Sequence, residues 1–519
     1  MRAYQPIFLG AIVLFCFYAC ANKVSLTGGE KDEIPPKILE AIPKNKSVDF
    51  KAKEINIEFD EIIQIKNSSQ IVISPLIDDK IKYQASGKLL KVKLPTTLSD
   101  STTYTINFKE SIVDNNESNP FSDFTYVFST YSVIDTGFVS GICIDAQTKD
   151  PVAEVLVGLY NQSSFLIDSL KPNYISTTDE NGNFRIQGIK QGSYYLRVIK
   201  DDNKDYKLQK TELFGFLVES TKIDSSIDSL SIELSSNRNN AITYDVLSNE
   251  FSNPVIVLSK PSQTIDIKGL IKEELKYKLN HTRDSITILS AVRDTSILLS
   301  LGNENVDTVF ISGIAKGKDE KKVVSLSIKS EKVRGNKATI VCNSRIDSFN
   351  KSKVHLFRDS TELETDSIVL GLRNNIHVYF TKPEDLNGAR IQIDSAAVYF
   401  ESFCNNVFNN PIAFVNPDDL GSVEFIIDGN YKGSLIAILE DKASEVKGYK
   451  RVKAGSTSVQ FNKLYQGEYY LRIIQDENSN KVWDSADFEE MIPAEKIVIL
   501  GPYRLEQGWD LLGNKIELN

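Results

Sequence analysis

Short runs in which apolar and polar residues alternate recur along almost the whole chain. Ile55-Asn56-Ile57-Glu58-Phe59, Tyr104-Thr105-Ile106-Asn107-Phe108 and Tyr194-Tyr195-Leu196-Arg197-Val198 are examples. A period of two marks a strand with one buried face. The runs are rich in Ile, Val, Tyr, Phe and Thr, and clusters of Asp, Asn, Gly, Ser and Pro separate them. Few segments keep a 3.6-residue period for three turns. The pattern predicts an all-β protein of tandem β-sandwich modules. In the first module Phe59, Ile71, Ile73, Tyr104, Ile106 and Phe128 fall at positions suited to an inward face.

The first twenty residues break the pattern. Arg2 precedes an almost unbroken apolar run over residues 7–18, which closes on Phe17-Tyr18-Ala19-Cys20. The run is too short to span a bilayer and long enough for the core of a signal peptide. A small residue followed by cysteine, at the border with a polar tail, resembles a bacterial lipoprotein signal; Phe17 stands where such signals usually carry leucine. The resemblance implies loss of residues 1–19, acylation of Cys20 (palmitate among the chains) and an outer-membrane location facing the periplasm or the cell surface. Stable anchoring takes two or more lipid chains. Residues 20–33, with Gly28-Gly29 and Glu30-Lys31-Asp32-Glu33, read as a tether that buries little surface. The other reading is an ordinary signal peptide or an uncleaved anchor.

The rest divides into modules. Residues 34–131 run from Pro35-Pro36-Lys37-Ile38 through Ile71-Val72-Ile73-Ser74-Pro75 and Thr102-Thr103-Tyr104-Thr105-Ile106 to Tyr126-Val127-Phe128-Ser129-Thr130. This order resembles the bacterial Ig-like domain of Bacteroidota lipoproteins, which implies an Ig-like sandwich without catalytic residues. Residues 138–235 carry Val139-Ser140-Gly141, then Thr177-Thr178-Asp179-Glu180-Asn181-Gly182-Asn183-Phe184, then Gly192-Ser193-Tyr194-Tyr195-Leu196. They are similar to the prealbumin-like sandwich of carboxypeptidase regulatory domains and Cna-B repeats, and Asn181-Gly182 suits a tight hairpin. Residues 236–318 and 319–430 read as two further β-rich domains, divided near 316–320. Residues 431–519 echo the second module. Gln191-Gly192-Ser193-Tyr194-Tyr195-Leu196-Arg197-Val198-Ile199 matches Gln466-Gly467-Glu468-Tyr469-Tyr470-Leu471-Arg472-Ile473-Ile474, and Phe184 would then correspond in role to Phe461.

Charge and chemistry narrow the function. The 60 basic and 70 acidic residues leave a net charge of −10, with no basic footprint for nucleic acid. Beyond the signal, Cys143, Cys342 and Cys404 cannot all pair; buried free thiols are expected, with a Cys342–Cys404 bridge as the alternative. His281, His355 and His377 lie in separate β-like segments, too dispersed for a zinc site or a triad. No catalytic residue is assigned and no cofactor is required.

The sharpest site candidate is Asp476-Glu477-Asn478-Ser479-Asn480-Lys481-Val482-Trp483-Asp484, followed by Asp487. Oxygen donors at 476, 478 and 480, closed by Asp484 or Asp487, resemble the first half of a calcium loop, although Lys481 stands where that loop has glycine. The earlier repeat offers Asp201, Asn203 and Asp205. The default is an Asx-rich turn whose side chains bond their own backbone. Tyr194, Tyr195, Tyr469, Tyr470, Trp483 and Trp509 could form a platform for sugar rings, though core packing is the simpler reading. The expectation is a rod-like, non-enzymatic envelope lipoprotein, acting as a scaffold or as an adhesion or binding module for a glycan or an envelope protein. The alternative is an exported hydrolase with its centre within 236–430, drawing on acids such as Asp294, Asp307, Asp359, Asp366, Glu384 and Asp385.

Overall fold

The computed structural model describes residues 32–518, except 78–80, 96–97, 123, 163–170, 210, 225, 248–253, 270–274, 276, 289–294, 302–306, 312–325, 329–336, 343–345, 372–374, 381–387, 401–402, 413–416 and 430. Cys20 with its signal and the 316–320 division lie outside the described residues. No helix among the described residues is long and apolar enough to cross a membrane. The protein is all-β, and its strands form stacked sheets around five separate apolar cores.

The first module packs the sheet Ile38–Ile42, Glu54–Phe59, Leu89–Lys93, Lys82–Ser86 against the sheet Thr125–Ser129, Thr103–Asn107, Val72–Ser74. Phe59, Tyr104, Ile106 and Phe128 are fully buried, as the alternation predicts. Ile71 and Ile73 are only partly buried. They sit in and beside the short strand Val72–Ser74, which forms the edge of its sheet.

The second and fifth modules share one topology. In the second, Gly137–Asp145 pairs antiparallel with Asn183–Ile189 and parallel with Ser226–Leu234. In the fifth, Gly421–Gly429 pairs antiparallel with Ser458–Leu464 and parallel with Asp510–Leu518. Their facing sheets also correspond: Tyr174–Thr177, Leu156–Tyr160, Gly192–Ile199, Phe214–Phe216 against Val446–Val452, Ser434–Asp441, Gly467–Asp476, Ile497–Leu505. This corrects the boundary at 431, because Gly421–Gly429 supplies the central strand of the fifth module's first sheet.

The register also corrects one correspondence. Gly141 lies opposite Phe184, and its equivalent Phe425 lies opposite Val459; Phe461 faces Val423 and so matches Ile186. Each copy has a bulge here, with Gly188 (φ 74°) and Lys463 (φ 58°) as the left-handed residues.

The third module (strands from Tyr244–Leu247 to Asp307–Ile311) and the fourth (from Leu326–Ile328 to Phe408–Pro411) have independent cores, one around Ile256, Ile286 and Leu299, the other around Ile340, Leu356 and Ile391.

The modules do not form a simple row. The first and second meet through Ser74 and Ile175, whose N–H donates to the Ser74 hydroxyl at 2.9 Å, and through Lys109, which reaches the Thr177 carbonyl at 2.7 Å. The fifth folds back onto the second. The outer face of its larger sheet carries Ile436, Ile438, Ile474 and Ile497, and these cluster with its own Trp483 and with Ala146 of the second module. Arg472 donates to the Gln147 carbonyl at 2.7 Å. His281, which lies in a turn rather than a strand, stacks on Tyr449 with centroids 4.9 Å apart and so joins the third module to the fifth. The rod-like expectation therefore fails. A sheet apolar on both faces must bury its second face; here the fifth module's own Trp483 and Ala494 cover most of it, and Ala146 of the second module adds to the cover.

Candidate functional site

The candidate loop follows the strand Gly467–Asp476, which delivers Asp476 to its end almost fully buried (1% exposed). Its carboxylate accepts N–H bonds from Asn480 (2.9 Å) and Lys481 (3.0 Å), and the Ser434 hydroxyl at 3.0 Å. Asn478 accepts the Asn480 N–H at 3.0 Å, and Asn480 accepts the Val482 N–H at 2.9 Å. Ser479 and Lys481 hold left-handed backbone, φ 59° and 78°. The chain thus coils around its own side chains as consecutive Asx turns. The carboxamides of Asn478 and Asn480 both donate to one oxygen of Asp484, each at 2.6 Å.

One expectation changes. Asp487 does not close the loop: it accepts the N–H groups of Glu489 and Glu490 and the Asn239 carboxamide. Glu495 takes that place, accepting the Glu477 N–H at 2.9 Å and the Asp484 N–H at 3.1 Å. Burial, with the Asp484 and Asp476 carboxylates beside it, pushes the Glu495 carboxyl up to about 7 against the pull of those donors.

The second module repeats the loop. Asp201 accepts N–H bonds from Asp205 (3.1 Å) and Tyr206 (2.8 Å), Asn203 accepts from Asp205, and Asp205 accepts from Lys207. Lys204 and Tyr206 are left-handed, φ 60° and 63°. Glu212 accepts the Gln209 N–H at 2.9 Å and a bond from the Asp202 N–H, as Glu495 does from Asp484 and Glu477. The first copy offers oxygens from Asp201, Asn203, Asp205, Gln209 and Glu212, and the second from Asp476, Asn478, Asn480, Asp484 and Glu495. Counted from its first Asp, the earlier copy places them at 1, 3, 5, 9 and 12, the side-chain positions of an oxygen-ligated calcium loop, and its left-handed sixth residue stands where such loops have glycine.

All of these donors are hard oxygens, which suits calcium. Among the described residues no group of three or more His, Cys, Asp and Glu is placed to hold a metal. A cation in the later loop would therefore depend on Asn478 and Asn480 turning their oxygens inward, where their NH₂ groups now meet Asp484.

Residues 32–130 match the model of the bacterial Ig-like domain Big_5. No curated protein matches the chain. Among solved structures the chain is similar to the major pilin subunit BcpA of Bacillus cereus (11% identity, 66% of this chain and 88% of that one, TM-score 0.14). It is also similar to the TIE protein of Bacillus anthracis (9%, 95% and 75%, 0.14) and a DUF3823 family protein from Bacteroides uniformis (7%, 70% and 98%, 0.15).

The remaining candidates are dispersed. Tyr194 and Tyr469 are buried in separate cores, Trp483 is buried and donates its indole N–H to the Glu495 carbonyl at 2.8 Å, and Trp509 is exposed; they form no shared platform. Of the six acids, Asp294, Glu384 and Asp385 lie outside the described residues. Asp307 accepts the Tyr244 hydroxyl in the third module, while Asp359 (a turn) and Asp366 (the strand Thr365–Leu370) lie in the fourth. His355 meets Glu362 and Asp394. None of Cys143, Cys342 and Cys404 forms a disulfide; the first two are buried as expected, and Cys404 is exposed.

Proposed function

We propose that the protein is a lipid-anchored, non-catalytic scaffold of the bacterial envelope, presenting packed β-sandwiches to a glycan or an envelope protein. The observation that carries this reading is the packing between modules: a buried bond joins the first to the second, and an apolar contact joins the second to the fifth. Such contacts suit a body that holds a fixed shape. The Ig-like match and the lipoprotein-like signal at Cys20 support it, with the outer membrane as its place. Protease treatment of intact cells tests it, with blotting for the fifth module and a periplasmic control. Digestion while the control survives places the scaffold on the surface, and protection until permeabilisation places it in the periplasm. Recovery from the cytoplasm with the signal intact would overturn the reading.

The reading extends to calcium at the 476–484 loop and its twin at 201–212. The donor order kept in both copies supports it. Titration of the metal-stripped chain with calcium, read by calorimetry, should show saturable binding that Asp476→Ala reduces. Heat flow indistinguishable from dilution would leave the loops as turns.

A further inference from the structure

The two copies of the repeat differ at one place that bears on assembly. Strand pairing fixes their correspondence. Arg197 and Ile199 lie opposite Phe216 and Phe214; Arg472 and Ile474 lie opposite Ile499 and Ile497. The offset is 275 before the loop (476 − 201) and 283 after it (497 − 214), so the fifth module carries eight extra residues. They fall at 486–493, between the equivalents of Lys210 and Thr211.

The inserted residues face the second module. Ala486, Phe488 and Met491 pack with Phe214, Phe216 and Leu208, and the Phe488 ring meets Phe214 edge-on at 5.7 Å. The Ala486 N–H donates to the Ser235 hydroxyl at 2.9 Å, and its carbonyl accepts the Arg238 N–H at 2.7 Å. The Arg238 side chain donates to the Ser485 carbonyl at 2.9 Å, and Asn239 donates to Asp487 at 3.1 Å. The insertion is braced internally, since Asp487 and Ile492 exchange backbone bonds of 2.8 and 2.9 Å.

We infer that the eight-residue insertion is a latch. It closes the chain into a hairpin by fastening the fifth module to the second, and it grips residues 235–239, where the chain leaves for the third module. The third and fourth modules then form the loop of the hairpin. Away from the latch, Ala146 is the one described side chain of the second module in the apolar cluster with Ile436 and Ile438. Beside it stands the exposed Arg472 bond to the Gln147 carbonyl. A single methyl group covers little area and an exposed bond contributes little, so these contacts are too small to hold a module by themselves.

The test uses the full chain from residue 21 with 486–493 deleted. The deletion leaves Asp484-Ser485-Ala494-Glu495, the same length as Gln209-Lys210-Thr211-Glu212 in the earlier copy. Small-angle scattering should show a longest dimension greater by on the order of 30 Å, the length of a nine-residue strand, as the fifth module swings free. The far-UV spectrum should not change. If the deletion disturbs folding, Phe488→Asp in the full-length loop decides, and it should give the same expansion. A variant of unchanged spectrum and unchanged dimension would overturn the latch.

Discussion

Replacing Asp476 by alanine separates the local role of the candidate loop from a metal-binding one. The carboxylate is almost fully buried and accepts two backbone N–H bonds and one hydroxyl, at 2.9 to 3.0 Å. Bonds to a charged acceptor contribute about 1.5–3 kcal/mol each, and donors near the surface regain some of that from water. The loss in EDTA should therefore be about 3–4 kcal/mol. With calcium at a hundred times its dissociation constant, the wild-type chain gains a further ~2.7 kcal/mol that the variant lacks. Urea denaturation followed by tryptophan fluorescence isolates the effect. Both tryptophans of the chain, Trp483 and Trp509, lie in the fifth module, and only Trp483 is buried. A cost below about 1 kcal/mol in EDTA would refute the hydrogen-bond account. Equal costs with and without calcium would refute the metal and leave the turn.

Other outcomes follow from single side chains. Burial pushes the Asp114 carboxyl up, but four N–H donors (Asn116, Glu117, Ser118 and Asn119) outweigh it and leave the group below its usual value. Its stabilisation is therefore present above the unfolded pKa and is lost as pH falls through the folded one, and Asp114→Asn should flatten the acid limb of the first module's stability curve. Gly433→Ala should cost about 2 kcal/mol or more in the same fluorescence assay, because φ is 72° and a Cβ would stand 2.2 Å from the Asp476 carbonyl oxygen. Native protein, read by mass spectrometry, should alkylate rapidly at Cys404 and only after unfolding at Cys143, whose buried thiol is pushed up to about 12.

Period-two alternation was enough to read the strand content and the inward face of Phe59, Tyr104, Ile106 and Phe128. The match from Gln191 to Ile199 with Gln466 to Ile474 was enough to pair the second and fifth modules. Three features escaped for physical reasons. Gly429-Asn430 looks like a boundary, yet the strands on either side of it, Gly421–Gly429 and Ser434–Asp441, belong to one module. The latch carries Glu495 eight residues beyond its expected place, so Asp487 stood in for it; Glu212, undisplaced in the earlier copy, was the available signal. The fold-back was written in Leu435-Ile436-Ala437-Ile438-Leu439. That run is apolar at every position, which a strand needs only when both its faces are covered, here by the module's core on one side and by Trp483 with Ala146 on the other.

The most direct test of the anchored-scaffold account is acylation at Cys20. Cells expressing the wild-type chain or Cys20→Ser would be fed an alkynyl palmitate, fractionated and blotted for the fifth module. The account predicts a labelled wild-type protein in the outer-membrane fraction and an unlabelled variant released from it. An unlabelled wild-type protein in the soluble fraction would contradict it.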